Sequence, residues 1–227
     1  MSSRVVFDIE TLAEPLESFD DASQHYLKRF VDSEEKMEEL RKNLNLHALT
    51  AKVIAIALMN PDSGRGRVFF QSDVRETFDS PDGLVCYNSC TEEEMLGEFW
   101  KVIPSYEEYI TFNGRGFDCP FLMLRSGILG VKVSRNLMLN RYDRQHCDLL
   151  EQLTFYGATR RFSLDFYCKS FGIESPKSKG ITGLDMRELY DAKKFRSIAE
   201  YCYGDVMATA ELYRRWKEYM CTPVVTQ

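Results

Sequence analysis

The first apolar run of the chain, Val5-Val6-Phe7-Asp8-Ile9-Glu10-Thr11, ends in two carboxylates and a hydroxyl. Side chains alternate along a strand, so Asp8 and Glu10 face the same way. Two carboxylates aimed at one point repel each other, and that arrangement is tolerated mainly where a divalent cation sits between them. The run therefore suggests half of a metal centre. Taken alone, D-x-E more often marks the solvated face of an edge strand, so the reading depends on carboxylates further along.

Two such residues follow. Asp118 comes just after the apolar segment Tyr109-Ile110-Thr111-Phe112, at the loop-to-helix junction Asn113-Gly114-Arg115-Gly116-Phe117-Asp118. Loops at strand ends tend to place functional groups, and a helix N-terminus also stabilises a carboxylate through its macrodipole. In the last helical stretch Tyr201 and Asp205 are four residues apart and share a face. The apolar neighbours Cys202, Val206, Ala210 and Leu212 turn that face toward a sheet. A buried carboxylate without a partner is costly, and a metal shared with Asp8 would supply one. His25, His47 and His146 have no ligand or nucleophile partner at useful spacing. The seven cysteines are an odd, scattered set that suits free thiols, and Cys86-x3-Cys90 lacks the second pair a zinc site needs.

The elements that must hold these residues alternate along the chain. Residues 13–50 interrupt the expected hairpin with Pro15 and then a helical pattern through Tyr26, Leu27, Phe30, Met37, Leu40 and Leu44, which predicts one or two amphipathic helices packed as a lid. Val53–Met59, the turn Asn60–Gly64 and Arg67–Gln71 predict strand, turn, strand; residues 73–90 read as an irregular connection. Thr91 with Glu94 marks a capped helix running to Pro104. A strand over Tyr109–Phe112, a helix from about Phe117, short helices at 148–155, 163–171 and 184–190, and a long helix from about Ser197 to Met220 complete the pattern. Its sum is an α/β fold, a mixed β-sheet with helices on both faces, in one domain spanning 1–227.

The three clusters Asp8-Ile9-Glu10-Thr11, Asn113 to Asp118 and Tyr201-Cys202-Tyr203-Gly204-Asp205, in this order and at these separations, resemble the three motifs of the DEDD 3′–5′ exonucleases. Tyrosine four before the last aspartate resembles the tyrosine subclass; the histidine subclass would place His where Glu200 stands. The chain is similar in particular to stand-alone exonucleases related to the proofreading domain of family B DNA polymerases. That likeness extends through Cys147-Asp148-Leu149, Phe162-Ser163-Leu164-Asp165, Gly172-Ile173 and Pro176-Lys177. The resemblance implies a ribonuclease H-like fold and two-metal hydrolysis of phosphodiesters from a 3′ end. Asp8, Glu10, Asp118 and Asp205 would hold two divalent cations, Mg²⁺ or Mn²⁺, because hard oxygen ligands suit those ions. Tyr201 would orient the water, since a phenol with a pKa near ~10 is a poor base. The resemblance also assigns Thr11, Leu12, Asn113 and Phe117 to the terminal nucleotide and the strand's path. Arg115 and Lys177 are candidates for phosphate contacts and equally suit a solvated surface. Asp148 suits either a supporting role behind the site or a helix N-cap.

The net charge of −6 argues against a protein that coats nucleic acid through bulk electrostatics, although positive charge gathers in the middle and late chain. No run approaches the ~20 apolar residues of a membrane span, and the N-terminus lacks a secretory layout, so a soluble cytoplasmic protein is expected. Little follows Asp205, so the expectation is a nuclease without an attached polymerase. Its single-stranded DNA or RNA 3′ ends would arrive free or from a protein partner, with DNA favoured. The competing class is a catalytically silent ribonuclease H-like module that binds nucleic acid or protein; a degenerate module would be expected to have lost one of the carboxylates or Tyr201.

Overall fold

Strand β1 (Arg4–Ala13) lies near the middle of the sheet and carries the first carboxylates. The computed structural model describes residues 3–174 and 185–221. β2 (Ala51–Met59) pairs antiparallel with β1, and β3 (Gly66–Phe70) antiparallel with β2. β4 (Thr77–Asp79) and β5 (Val85–Ser89) extend that side; β6 (Glu108–Thr111) and β7 (His146–Asp148) add in parallel on the other. The order is β4-β5-β3-β2-β1-β6-β7, a mixed sheet in the ribonuclease H-like arrangement expected from the sequence.

Alternation along β1 sorts its residues between two cores. Val5, Phe7 and Ile9 pack under α3 (Glu92–Val102) and α4 (Asp118–Leu129) with Phe99, Trp100 and Leu122. Val6 and Leu12 face the opposite layer, with Ile198, Cys202 and Val206 of α8 (Phe195–Tyr219). Asp8 and Glu10 share the parity of Val6 and Leu12, so they project toward α8. The register of β1 on β2 shifts between Glu10 and Thr11. Such bulges re-aim side chains next to functional sites.

The interruption after β1 holds the expected pair of helices, α1 (Asp21–Lys28) and α2 (Glu34–Asn43). They do not form a packed lid, because neither helix has a buried residue, and Tyr26 and Phe30 are 61% and 75% exposed. Among the described residues, the segment is tied in at its ends, by buried Leu16 and Leu44 and by the Thr11 hydroxyl donating to the Asn45 carbonyl at 2.9 Å. Residues 73–90 also depart from expectation: they form β4 and β5, joined through Ser80 and Asp82 and stabilised by Phe78 stacking on Tyr87 at 4.8 Å. The short helices α5 (Leu149–Leu153), α6 (Leu164–Phe171) and α7 (Met186–Asp191) lie close to the predicted positions.

Candidate active site

Strand alternation on β1 and the buried face of α8 bring Asp8, Glu10 and Asp205 together, each offering an oxygen within 4.8 Å of the others. Helix α8 is pinned there by buried Ile198, Ala199, Cys202 and Val206, and the Cys202 thiol approaches the Asp8 carbonyl at 3.5 Å. Burial pushes the Asp8 carboxyl well above the usual range, and the charges of Asp118, Asp205 and Glu10 push it further. The cluster is thus strained in the anionic sense that a cation relieves.

Asp118 opens α4 and lines the same pocket, but stands outside the tight triad. One of its oxygens accepts from the backbone N–H of Ile9 at 3.1 Å, which ties α4 to β1. Burial raises its pKa to about 7 against the help of backbone N–H groups, with Asp148 and Asp205 adding repulsion. Tyr201, 8% exposed, hydrogen-bonds to Asp205, and burial followed by the charges of Asp205, Glu10 and Asp8 drives its phenol upward. It therefore stays protonated, a donor and not a base.

The pocket around these groups has a volume of ≈ 280 Å³, and Phe112, Asn113, Phe117, Leu164 and Asp165 complete its wall. The loop from Asn113 to Phe117 is held from behind. Asp148, at the end of β7, accepts from the backbone N–H of Asn113 and of Arg115, both at 2.9 Å, and caps α5 through Leu150 at 3.0 Å. One carboxylate thus serves both readings offered for it. Asn113 sits at φ 63°, and a side chain at Gly114 would lie 2.4 Å from the Thr111 hydroxyl, so the loop needs both residue types. His146 supports Thr111 from below, its Nε2 2.8 Å from that hydroxyl.

Thr11 and Leu12, which the resemblance assigned, and Arg115, a phosphate candidate, do not line this pocket. Thr11 is buried and bonded to Asn45; Leu12 is buried and borders a second pocket, of ≈ 590 Å³, beside the helical insert. Arg115 directs its Nε to within 3.4 Å of Glu151 and donates from Nη1 to the Leu139 carbonyl, away from the carboxylates. Lys177 lies outside the described residues. Conversely, Phe112, Leu164 and Asp165 enter the wall without having been singled out. For Leu164 and Asp165 the signal was their place in Phe162-Ser163-Leu164-Asp165, where Ser163 caps α6 by accepting from the Phe166 N–H.

A mixed seven-stranded sheet with helices on both faces makes this an α/β protein of ribonuclease H-like fold. Within that class the chain belongs to the family described as predicted 3′–5′ exonucleases related to the exonuclease domain of PolB, which matches residues 42–222. The match begins near the end of α2 and so leaves β1 outside it. The chain is also 35% identical over 176 residues to DNA polymerase 1 of Saccharolobus solfataricus, covering 70% of this chain and 19% of that protein. Its fold resembles the family B DNA polymerase from the hyperthermophilic archaeon Pyrobaculum calidifontis, with a TM-score of 0.60 at 19% identity over 96% of this chain and 25% of the other. The chain spans a quarter or less of the length of these relatives. Among the described residues, no helix is long and apolar enough to cross a membrane.

Proposed function

We propose that this chain is a divalent-metal-dependent 3′–5′ exonuclease that removes nucleotides from the ends of single-stranded DNA, working as one domain. The observation that carries the reading is the convergence of Asp8, Glu10 and Asp205 within 4.8 Å, with Tyr201 bonded to Asp205 beside them. The donor set fits Mg²⁺ or Mn²⁺, since it consists of hard carboxylate oxygens that repel one another in the absence of a cation. Asp8, Glu10 and Asp205, with Asp118 alongside, would hold two such ions. When bound, the ions supply a nucleophilic water at neutral pH and neutralise charge on the phosphate and leaving oxygen.

The chain's own groups do the rest. In the reaction water adds to phosphorus, the P–O3′ bond breaks, the leaving 3′ oxygen takes up a proton, and a nucleoside 5′-monophosphate departs. The Tyr201 hydroxyl donates to Asp205, which leaves its lone pairs directed at the pocket as an acceptor that orients the attacking water. Phe112, Phe117 and Leu164 form an apolar wall suited to the terminal sugar and base. Asn113, held in place by Asp148, sets the pocket's rim. Seven free cysteines fit a reducing compartment, and the cytoplasm is the location we assign. Substrate arrives free or from a partner protein.

The test is a time course on 5′-labelled single-stranded DNA and RNA with Mg²⁺, Mn²⁺ or chelator, wild type beside Asp8→Asn. A metal-dependent ladder shortening from the 3′ end, absent in the variant, is expected. A ladder of equal rate in the variant, or in chelator, would sink the proposal.

A further inference from the structure

A chain of aromatic rings leads from the carboxylate pocket to the surface. Phe112 lines the pocket and meets Tyr167 edge-on at 5.9 Å; Tyr167 meets Phe162 edge-on at 6.2 Å; Phe162 stacks on Phe166 at 4.7 Å with the planes 14° apart. The outer pair is open to solvent, Phe162 at 36% and Phe166 at 52%. The Arg160 guanidinium lies over the Phe162 ring at 5.1 Å, and exposed Arg161 and Lys169 stand on the same segment. Leu164 and Asp165, between the two phenylalanines in sequence, are themselves pocket wall, so platform and site are continuous.

Two near-parallel phenylalanines exposed in water leave apolar area unburied at a place where an ordinary helix surface would carry polar residues. Flat rings flanked by arginines match the requirements of a polynucleotide, whose bases stack on aromatic faces and whose phosphates seek positive charge. A folded protein partner would favour a broader apolar patch with a polar rim. Here the Arg160 guanidinium instead lies directly over one of the rings.

We infer that Phe162 and Phe166, with Arg160 and Arg161, form a stacking platform for the single-stranded DNA upstream of the terminal nucleotide. This rests on the exonuclease reading and extends it: α6 holds the strand that feeds the pocket. Stacking does not read the sugar or the base identity, so the platform grips strands of any sequence. It also offsets the weak bulk attraction of a chain with net charge −6 by concentrating positive charge where the strand leaves the pocket.

The experiment is fluorescence anisotropy of 5′-fluorescein-labelled (dT)12 and (dT)2 in EDTA at low salt, where no hydrolysis proceeds. In the Phe162→Ala/Phe166→Ala double variant, binding of (dT)12 is expected to weaken about 5- to 100-fold, and (dT)2, too short to reach the platform, to change little. Phe166→Leu, which keeps bulk and helix, should also weaken (dT)12, whereas Phe166→Trp should keep or raise affinity. Phe30→Ala, at an exposed ring on the insert, is expected to bind as wild type. Arg160→Ala/Arg161→Ala should flatten the salt dependence of (dT)12 binding. Wild type that fails to bind (dT)12, or a double variant that is folded by circular dichroism and binds it unchanged, would overturn the platform. Cleavage is scored separately: binding that depends on the platform with no ladder under any metal defeats the exonuclease reading alone, and a ladder with unchanged binding in the double variant defeats the platform alone.

Discussion

Replacing Asp8 by Asn should abolish turnover and at the same time stabilise the metal-free protein. Asp8 shares a 4.8 Å space with Glu10 and Asp205, and each unit-charge pair at that distance repels by about 3.5 kcal/mol at an effective dielectric of about 20. Burial and these neighbours favour the protonated form of Asp8, so the penalty is limited to the free energy of holding that proton. Because its folded pKa lies above the unfolded value near ~3.9, folding loses up to about 1.4 kcal/mol per pH unit above that value, until the folded pKa is reached. Asn carries no charge and escapes the penalty. Relief of even one such pair repulsion, discounted to about 1–3 kcal/mol, would make Asp8→Asn melt several degrees above wild type in EDTA at pH 7, and the gap should narrow as pH falls toward ~3.9. Adding Mg²⁺ or Mn²⁺ at about a hundred times its Kd should raise wild type by about 2.7 kcal/mol and the variant by less. Differential scanning fluorimetry across pH and metal concentration reads all of this. A variant no more stable than wild type in EDTA, with a gap indifferent to pH, would refute the idea that these carboxylates are held against mutual repulsion.

Other groups make separable predictions. Tyr201→Phe should keep the metal-induced rise in melting temperature and slow hydrolysis by roughly a hundredfold, because only the hydroxyl proposed to orient the water is lost; single-turnover kinetics measures it, and an unchanged rate would remove Tyr201 from the site. Asp148→Ala strands the N–H groups of Asn113, Arg115 and Leu150, and should cost about 3–5 kcal/mol in urea unfolding, with Asp148→Asn recovering part. Burial, with Arg115 and Arg135 nearby, lowers His146 to about 3, below its unfolded ~6.5. The unfolded chain thus binds the extra proton. Stability from this group is complete above about pH 6.5 and falls through the window down to about pH 3 at up to 1.4 kcal/mol per unit, a loss that His146→Gln should not show.

The sequence made the site legible where local periodicity determines direction. Two residues along β1 return a side chain to the same face, and four along α8 return it to the same stripe, so Asp8 with Glu10 and Tyr201 with Asp205 could be paired before any fold was known. What stayed hidden depends on partners distant in the chain. Strands β4 and β5 are short, and Phe78 and Tyr87 acquire their meaning by stacking on each other across the ladder and meeting Phe70 and Tyr203 edge-on. The apolar spacing of the insert predicted helices correctly but not their burial, because periodicity shows that a face exists and not that something covers it. Arg115 looked available for phosphate until Glu151, thirty-six residues on, came within 3.4 Å of it.

The placement of Asp118 shows how the site's order is built. Its side chain accepts from the Ile9 N–H, the amide between the two β1 carboxylates, so the strand that carries half the cluster is fastened to the helix that carries another member. Behind it, Asp148 fastens the preceding loop to β7, and His146 steadies Thr111 beneath Gly114. These bonds fix the backbone and the loop around Asp8, Glu10 and Asp205, whose oxygens meet within 4.8 Å of one another. Repulsion alone would separate those groups. Here the surrounding bonds hold them together, which is the arrangement expected where the cation that satisfies them arrives only in the working state.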